Sequence, residues 1–276
     1  MILHIPITDL ALPELQPYRT LRRQEDHYQK RIFVAEGEKT LRRLLATSYV
    51  IVSVLLTREW LEVFESLLKN RAEEIPVYVA EKPLLETLTG FTMFQGVMAV
   101  AKIPEGPSLK EMVEDSRRPK LFVATDGVGN AENLGTLVRN CAAFSVDALF
   151  ISRSSSSPFL RRAVRSSMGG IFKIPVLEEL NLVDTFQELR AGRIRCIGAN
   201  PNAGEKTLPE LDLSGDCCLV FGNEANGISE EVLAACDELA AIPMPLNVDS
   251  MNVSSAGAVF LYEVWRQRRS GRASVC

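Results

Sequence analysis

The chain has 276 residues, of which 46% are hydrophobic and 24% are charged, and its formal net charge is −4. This balance indicates a globular protein of one large or two modest domains, and it excludes a protein that is basic overall. No apolar run reaches the roughly 18 residues of a membrane span, and the start, MILHIPITDL, lacks the pattern of a signal peptide. We therefore expect a cytoplasmic location and no membrane partner.

The chain holds only two histidines, His4 and His27, and six cysteines without a CxxC pair. The scarcity of histidine excludes most imidazole chemistry and a His-rich zinc site, so we expect no metal. Cysteines in apolar runs pack as small hydrophobic residues, which is typical of a reducing compartment. Catalysis, if present, should then depend on Arg, Asn, Ser, Glu and backbone groups.

Residues 1–104 predict a small α/β domain, because helical and strand-like patterns alternate along them. The predicted helices are residues 12–30, EKTLRRLLA and EWLEVFESLLKNR, and the predicted strands are RIFVAEG, YVIVSVLL, PVYVA and VMAVA. The stretch KIPEGPSLKEMVEDSRRPK follows, with three prolines and a Pro-Glu-Gly turn. This composition predicts a linker over residues 105–117.

Residues 118–276 predict a second α/β domain. Short apolar strands alternate here with helices, which is typical of a parallel sheet covered on both faces. The predicted strands are KLFVATD, ALFIS, FKIPV, IRCIGA, CCLVFG and AAIPM, and the predicted helices lie near 133–144, 158–169, 180–191, 228–238 and 252–268. Ligands of such sheets bind at the carboxyl ends of the strands, where several polar loops follow in this sequence.

The first of these loops, DGVGNAENLGTLVRN, leads into a helix that we expect to begin near Asn133, a favourable N-cap residue. Glu132 stands where a dinucleotide fingerprint has its third glycine, and this argues against a Rossmann-type oxidoreductase. Arg139 lies about 140° around the helix from Leu134, off the apolar stripe. It is either an ordinary surface arginine or a functional residue.

Two further loops carry more polar residues than turns and caps require. In FGNEANGIS, an Asn-Gly turn before a helix explains the second half of the loop, but it explains neither Gly222 nor Glu224. In IPMPLNVDSMNVSSAGAVFLYEVW, several Asn, Asp and Ser residues precede the last helix, whose cap needs one or two of them. Each loop by itself is a weak indication of a binding site.

Taken together and in this order, the three loops resemble the signature motifs of the SpoU/TrmH family of RNA ribose 2′-O-methyltransferases. The matching residues are Asn133-x-Gly135 with Arg139, then LVFGNEANGIS, then IPM followed by DSMNVSSAGAV. The resemblance spans about residues 118–268 and implies a SPOUT-type catalytic domain with a parallel sheet and a trefoil knot. RIFVAEGEKTLRRLL is similar to part of the small L30e-like domain that many family members carry.

The resemblance implies a role for each motif residue. The catalytic residues would be Asn133, Arg139, Glu224, Ser250 and Asn252. The residues that bind the cofactor, S-adenosylmethionine, would be Gly222, Ile242, Leu246, Asn247 and Met251. The chain departs from the family pattern at Met251, where leucine is usual, and at residues 130–133, which read Asn-Ala-Glu-Asn in place of Asp-Pro-x-Asn.

The implied reaction is transfer of a methyl group from S-adenosylmethionine to a ribose 2′-hydroxyl of RNA. Ribosomal RNA is the expected substrate, because two-domain relatives with an L30e-like part mostly act on it. A tRNA substrate is one alternative, and a non-catalytic RNA-binding or ribosome-assembly factor on the same fold is another. Arg139 acts either as a base, which is demanding for a guanidinium, or as a bidentate phosphate ligand.

The RNA must bind to local basic clusters, since the chain as a whole is acidic. The clusters that we expect to contact RNA are Arg22, Arg23 and Arg31 in the N-terminal domain, and Arg161, Arg162 and Arg165 in the catalytic domain. Family members are homodimers, so the resemblance also implies a homodimer. The small residues Ala256–Val259 of the last helix would suit close helix contact in it, or ordinary packing within one chain.

Overall fold

The computed structural model describes residues 2–21, 24–89, 95–115, 119–201, 206–245 and 250–273. The chain divides into two compact units that each have a sheet of their own. The first unit comprises Met1–Glu105 and Phe159–Phe172, and the second comprises Gly106–Pro158 and Lys173–Cys276. In the described part of the chain, no helix is both long and apolar enough to cross a membrane.

The first unit is built on a five-stranded mixed sheet. Its strands are β1 (Ile2–Pro6), β2 (Ile32–Glu36), β3 (Ile51–Leu56), β4 (Ile75–Val79) and β5 (Val97–Lys102). They lie in the order β1-β4-β3-β5-β2, and only β5 runs antiparallel to its neighbours. The helices before residue 105 are α1 (Gln16–Arg19), α2 (Gln24–Gln29), α3 (Glu38–Leu45), α4 (Arg58–Lys69) and α5 (Lys82–Thr89).

The start of the first unit differs from the prediction of one helix over 12–30. A 3₁₀ turn at Pro13–Leu15 is followed by the short helices α1 and α2. Pro13 is the first residue of the 3₁₀ turn, and Pro17 lies in the first turn of α1. Proline is tolerated in the first turn of a helix but not inside it, so the two prolines divide the segment. Strand β1, which the sequence did not predict, pairs with β4 at the edge of the sheet.

The second unit is built on a six-stranded parallel sheet. Its strands are β6 (Leu121–Asp126), β7 (Ala148–Ser152), β8 (Val176–Leu180), β9 (Arg195–Ala199), β10 (Cys217–Gly222) and β11 (Glu238–Ala240). The helices of this part of the chain are α6 (Leu109–Glu114), α7 (Ala131–Ala143), α8 (Arg161–Ser166), α9 (Leu182–Ala191), α10 (Glu230–Ala235) and α11 (Val253–Ala273). All of these helices except α8 belong to the second unit.

The strand order of the second sheet, β11-β9-β10-β6-β7-β8, creates a switch point beside β6. The chain moves from β6 to β7 and β8 on one side, and then returns to place β9, β10 and β11 on the other. Connections that leave a parallel sheet in opposite directions open a crevice at the carboxyl ends of the strands. The loops that follow β6, β9, β10 and β11 therefore share one edge of the sheet.

Helices α7 and α11 cover one face of this sheet at close range. Phe221 of β10 meets Phe260 of α11 edge to face, with ring centroids 5.6 Å apart. A Cβ atom on Gly257 would overlap Cδ1 of Leu137, so the absence of a side chain at Gly257 allows α11 to approach α7. The other face of the sheet packs against α6, α9 and α10 through an apolar core.

The segment 105–117, which the sequence predicts as a linker, contains helix α6. Ser108 and Glu111 form a capping box at its start, and Met112 packs into the core of the second unit. The buried ammonium of Lys120 donates to the carbonyl oxygens of Met112 and Val113, at 2.6 and 2.5 Å. Prolines dominate the sequence pattern here, but the capping box and the buried lysine favour a helix.

Helix α8 groups with the first unit, although the sequence places its arginines in the catalytic domain. The rings of Phe159 and Phe172, which flank α8, lie 5.5 and 5.8 Å from the ring of Phe33 in β2. Arg161 forms an ion pair with Glu36, and their side chains are only 17% and 10% exposed. Aromatic packing and a shielded ion pair thus join this segment to the first sheet.

We expect Glu36→Ala to lower the free energy of unfolding by about 1–3 kcal/mol, because the shielded guanidinium of Arg161 loses its carboxylate partner. Glu38→Ala is the matched control, since Arg42, the partner of Glu38, is 47% exposed and exposed pairs contribute about 0–1 kcal/mol. Urea unfolding followed by circular dichroism measures both variants. Equal losses in the two would contradict the prediction.

Candidate active site

A cavity of about 710 Å³ lies in the second unit, at the carboxyl ends of β9, β10 and β11. The predicted site residues that line it are Asn133, Gly222, Glu224, Ile242, Ser250, Met251 and Asn252. Leu246 and Asn247 lie outside the described residues. The three loops singled out in the sequence therefore meet at one cavity, as their positions after parallel strands imply.

The start of α7 differs from the sequence prediction in a way that matters for Asn133. The helix begins at Ala131, and the N-cap is Asn130, whose Oδ1 accepts from the backbone nitrogens of Glu132 (2.9 Å) and Asn133 (3.1 Å). Asn133 is therefore inside the first turn, and its side chain is not used for capping. Its amide is available for contacts across the cavity.

A chain of hydrogen bonds links residues of all three loops. Asn133 Nδ2 donates to Glu224 Oε1 at 2.9 Å, and Asn133 Oδ1 accepts from Asn252 Nδ2 at 3.0 Å. Asn252 Oδ1 in turn accepts from the backbone nitrogen and hydroxyl of Ser254, at 2.9 and 2.6 Å. We call Glu224, Asn133, Asn252 and Ser254 the polar chain.

The direction of the polar chain is fixed by the start of α11. The carbonyl oxygen of the Asn252 side chain is used at the first turn of this helix, so only its NH₂ group can face Asn133. Asn133 must then present its own oxygen to Asn252 and its NH₂ group to Glu224. The helix cap thereby sets which atoms face the carboxylate on the other side of the cavity.

The loop after β10 is a tight turn that needs two glycines. Asn223 and Gly227 exchange backbone hydrogen bonds at 2.8 and 2.9 Å, and Gly227 has a φ of 72°. A Cβ atom on Gly222 would overlap the backbone of Gly227 and Ile228. The backbone at the end of β10 therefore contacts the backbone of Gly227 and Ile228 directly. Glu224 lies at the tip of the turn between them.

Asn223 holds this turn from inside. Its Oδ1 accepts from the backbone nitrogens of Ala225 and Asn226, at 2.9 and 3.0 Å, and its Nδ2 donates to the carbonyl oxygen of Gly127 at 2.7 Å. The last contact joins the loop after β10 to the loop after β6. Asn223 was not selected from the sequence, although an Asn directly after a strand and before an Asn-Gly pair is a signal for such a turn.

The loop after β6 is also held by residues that the sequence analysis missed. The carboxylate of Asp126 accepts from the backbone nitrogen of Ser229 at 2.8 Å and is only 8% exposed. Ser155 Oγ accepts from the backbone nitrogen of Val128 at 3.1 Å, and Ser156 Oγ donates to the carbonyl oxygen of Gly129 at 2.5 Å. The serine-rich stretch after β7 thus supports the approach to α7.

Arg139 is exposed and does not line the cavity. Within the described residues, it forms no hydrogen bond or ion pair. It lies six residues beyond Asn133, about 9 Å further along the axis of α7. The structure thus leaves its guanidinium available to a ligand, while Asn133 belongs to the polar chain.

The charges at the cavity are all negative among the described lining residues. Glu224 and Glu230 line it, and no Lys, Arg or His side chain does so. Apolar side chains, including Leu233, Ile242 and Met244, form another part of the wall. A cavity with this lining favours a ligand that combines an apolar surface with a positive charge, and it disfavours phosphate groups.

The described arginines among those predicted to contact RNA all belong to the first unit. Arg31, Arg162 and Arg165 are exposed in the first unit. Arg161 and Arg165 both form ion pairs with Glu36, and Arg161 is the less exposed of the two. Arg22 and Arg23 lie outside the described residues.

The cysteines near the sheet carry free thiols. Burial raises the pKa of the Cys236 thiol to about 12, and it raises that of Cys141 as well. A thiol in such surroundings stays protonated and is a weak nucleophile. These residues therefore act as packing groups, and we assign them no catalytic role.

The family model described as the SpoU rRNA Methylase family matches residues 120–262 of the chain. The chain belongs to this family. The expectation of an RNA methyltransferase is thereby confirmed. The matched range contains the loops that form the cavity and the residues of the polar chain.

Relatives of the SpoU family protein cover most of its length. A protein of Mycobacterium bovis named tRNA/rRNA methyltransferase is 30% identical over 94% of this chain and 90% of its own. A protein of Xylella fastidiosa named 23S rRNA (guanosine-2′-O-)-methyltransferase RlmB is 34% identical over 72% of this chain and 80% of its own.

The fold comparison agrees with this family. The structure of an AdoMet-bound rRNA methyltransferase from Sinorhizobium meliloti matches with a TM-score of 0.82 at 24% identity, over 95% of this chain and 98% of that one. The expected SPOUT-type α/β fold is therefore confirmed.

We expect Gly222→Ala to lower the free energy of unfolding by about 1–3 kcal/mol, because a Cβ there forces β10 away from the turn at Gly227. Gly215→Ala is the matched control. A Cβ at Gly215 meets no atom within 4 Å, so its effect should stay within about 0.5 kcal/mol. Urea unfolding of both proteins measures the difference. A loss at Gly215 as large as that at Gly222 would refute the argument from backbone contact.

Proposed function

We propose that this SpoU family protein transfers a methyl group from S-adenosylmethionine to a ribose 2′-hydroxyl of ribosomal RNA, in the cytoplasm. The observation that carries the proposal is the polar chain, because it gathers residues of three separate loops at one cavity. Asn133 lies 91 residues from Glu224 and 119 residues from Asn252 along the chain, yet it bonds to both. Their meeting at a strand-end crevice is typical of a catalytic site.

The cavity fits S-adenosylmethionine in size and charge. Its volume of about 710 Å³ lies within the range of roughly 300–1,000 Å³ of small-molecule sites. The carboxylates of Glu224 and Glu230 favour a cationic sulfonium, and the absence of cations among the described lining residues disfavours a phosphate-bearing dinucleotide. When bound, the cofactor supplies an electrophilic methyl group. The fold similarity to an AdoMet-bound rRNA methyltransferase supports the same assignment.

The residues proposed to hold the cofactor fall into two groups. Gly222, Ile242 and Met251 line the cavity, where they offer backbone atoms and apolar side chains. Leu246 and Asn247, outside the described residues, remain part of the proposal through the family motif. Asn133 ties Glu224 to the start of α11 and so fixes the polar wall opposite this apolar surface.

Arg139, Ser250 and Asn252 are proposed to handle the RNA. An exposed guanidinium is a poor base but a good bidentate phosphate ligand, so Arg139 would grip the phosphate beside the target ribose. As the oxygen bonds to the methyl carbon, the bond between that carbon and the sulfonium sulfur would break and release S-adenosylhomocysteine, the hydroxyl proton would pass to water, and the positive charge of Arg139 would stabilise the oxygen while the proton leaves. Ser250 and Asn252, at the rim of the cavity, would orient the 2′-hydroxyl.

Ribosomal RNA is the favoured substrate class. The family description and the name of the Xylella fastidiosa relative both specify rRNA, whereas the name of the Mycobacterium bovis relative also includes tRNA. The first unit, proposed as an L30e-like RNA-binding domain, exposes Arg31, Arg162 and Arg165. Together with Arg22 and Arg23, these would contact phosphates, and Arg161 would contribute least because it is only 17% exposed, whereas Arg165, which also pairs with Glu36, is 56% exposed.

A homodimer is also proposed, through α11. Gly257 is used within the chain, where it packs against Leu137. The other side of the helix exposes Val259, Tyr262 and Trp265 by 36%, 51% and 42%, at three-residue spacing. Such an apolar stripe on a helix surface is typical of a contact between copies, because a two-fold axis would bury it against itself.

We expect label from S-adenosylmethionine to enter ribosomal RNA and not tRNA when each unmodified transcript is incubated with the pure protein. Arg139→Ala should lower the transfer rate by at least about 100-fold, since the phosphate ligand is lost, while the dissociation constant of the cofactor stays within about two-fold. Arg139→Lys should be nearly as impaired, because an ammonium cannot bind a phosphate bidentately. Scintillation counting and calorimetry measure the two quantities.

Lys110→Ala removes an exposed cation of the same unit and is the matched control, with an expected rate close to that of the wild type. Activity of Arg139→Lys at a shifted pH optimum would favour the base role over the phosphate grip. Label that enters only tRNA would show that tRNA, and not ribosomal RNA, is the substrate. A protein that neither transfers the methyl group nor binds the cofactor would sink the enzymatic proposal and leave an RNA-binding factor.

For the dimer, we expect the wild-type protein to sediment at twice its chain mass and Tyr262→Glu to sediment as a monomer, because a charge cannot be buried unpaired in an apolar contact. Tyr28→Glu, at a tyrosine that is 44% exposed in the first unit, controls for the added charge. Analytical ultracentrifugation decides the matter. A monomeric wild type would end the dimer proposal without affecting the proposed reaction.

A further inference from the structure

Asn140 lies on the same face of α7 as Asn133, at a distance of seven residues, or about two helical turns. Its Nδ2 donates to the backbone carbonyl oxygen of Ser254 in the first turn of α11 at 2.8 Å. Asn133 contacts the same region of α11 through Asn252. The segment 252–254 is therefore held by two amides on one face of α7.

These two contacts close a continuous path of hydrogen bonds. From Asn140, the path reaches Ser254, whose backbone nitrogen and hydroxyl orient Asn252. Asn252 donates to Asn133, which donates to Glu224 in the cavity. The orientation of the polar chain thus depends on a residue that lies outside the cavity and outside the motif residues that match the family.

Between Asn133 and Asn140, the contact of α7 with α11 is apolar, and such a contact does not depend on direction as a hydrogen bond does. Leu137 lies on the same face and packs where Gly257 leaves room for it. Apolar surfaces tolerate small sliding movements, whereas hydrogen bonds fix distance and angle. The relative position of α7 and α11 along their contact is therefore set by Asn133 at one end and by Asn140 at the other.

We propose that Asn140 is a positioning residue for methyl transfer, which holds the second half of α7 against α11 and so sets where Arg139 and the polar chain stand. The inference rests on the proposed function. Arg139 is adjacent to Asn140 and makes no polar contact of its own within the described residues, so the backbone of α7 sets the point from which its side chain reaches a ligand. A displacement of about 1 Å in a catalytic group can lower a rate by about 100-fold.

The test is Asn140→Asp, which preserves the shape of the side chain but replaces the donor with a carboxylate that repels the carbonyl oxygen of Ser254. We expect the single-turnover rate to fall about 10–100-fold, with the cofactor dissociation constant within about two-fold and the pH profile unchanged in shape. Hydrogen exchange of the amides in the first turn of α11 should accelerate about five-fold or more, as expected for one lost hydrogen bond.

Two further variants make the result specific. Asn140→Gln keeps an amide donor and should recover part of the rate, which a purely steric role would not allow. Asn181→Asp is the control for the added negative charge, because Asn181 caps α9 through its oxygen and aspartate caps equally well. Its transfer rate and its thermal unfolding should match those of the wild type.

A wild-type rate in Asn140→Asp would overturn the inference. So would a fall in rate that is accompanied by an equal loss of cofactor binding or by early thermal unfolding, because the role would then be structural only. If the wild-type protein itself transfers no methyl group, the proposed function fails and the inference fails with it. An active wild type with an equally active Asn140→Asp would overturn the inference alone.

Discussion

The site depends on the side-chain amide of Asn252, whose oxygen and nitrogen form hydrogen bonds with different partners. Its oxygen serves the first turn of α11, where a helix has backbone nitrogens that need an acceptor. Its nitrogen can therefore face only Asn133, and through that residue the orientation reaches Glu224. Because the start of α11 needs an acceptor, the donors and acceptors of the polar chain have one fixed orientation at the cavity.

Close backbone contact is the second constraint on the site. The turn after β10 lies directly on the end of that strand, because Gly222 has no side chain to separate them. Asn223 then ties the turn to the loop after β6. The loops at the edge of the sheet are consequently joined to one another by polar contacts, and the carboxylate of Glu224 projects from a turn that several hydrogen bonds hold in place.

The distribution of charge favours binding of the proposed cofactor inside the cavity and of the RNA phosphate outside it. The described lining carries two carboxylates and no cation, which suits a positively charged cofactor but repels an RNA phosphate. The phosphate must then be held outside the cavity, by a cation such as the exposed Arg139. This separation explains how a chain with a net charge of −4 can combine a cationic cofactor with a polyanionic substrate.

The sequence by itself determined the class of fold and the three loops, because strand patterns and motif order are local properties of the chain. Asn133, Glu224 and Asn252 were selected through the resemblance to the family, and the structure brings them together at one cavity. The sequence missed Asn223, Asp126 and Asn140, whose partners lie 96, 103 and 114 residues away. It also placed α8 in the catalytic domain, whereas the structure groups α8 with the first unit, since periodicity identifies a helix but not the surface against which it packs. Only the tertiary structure decided these contacts, because hydrogen bonds and aromatic packing between distant segments leave no periodic trace in the sequence.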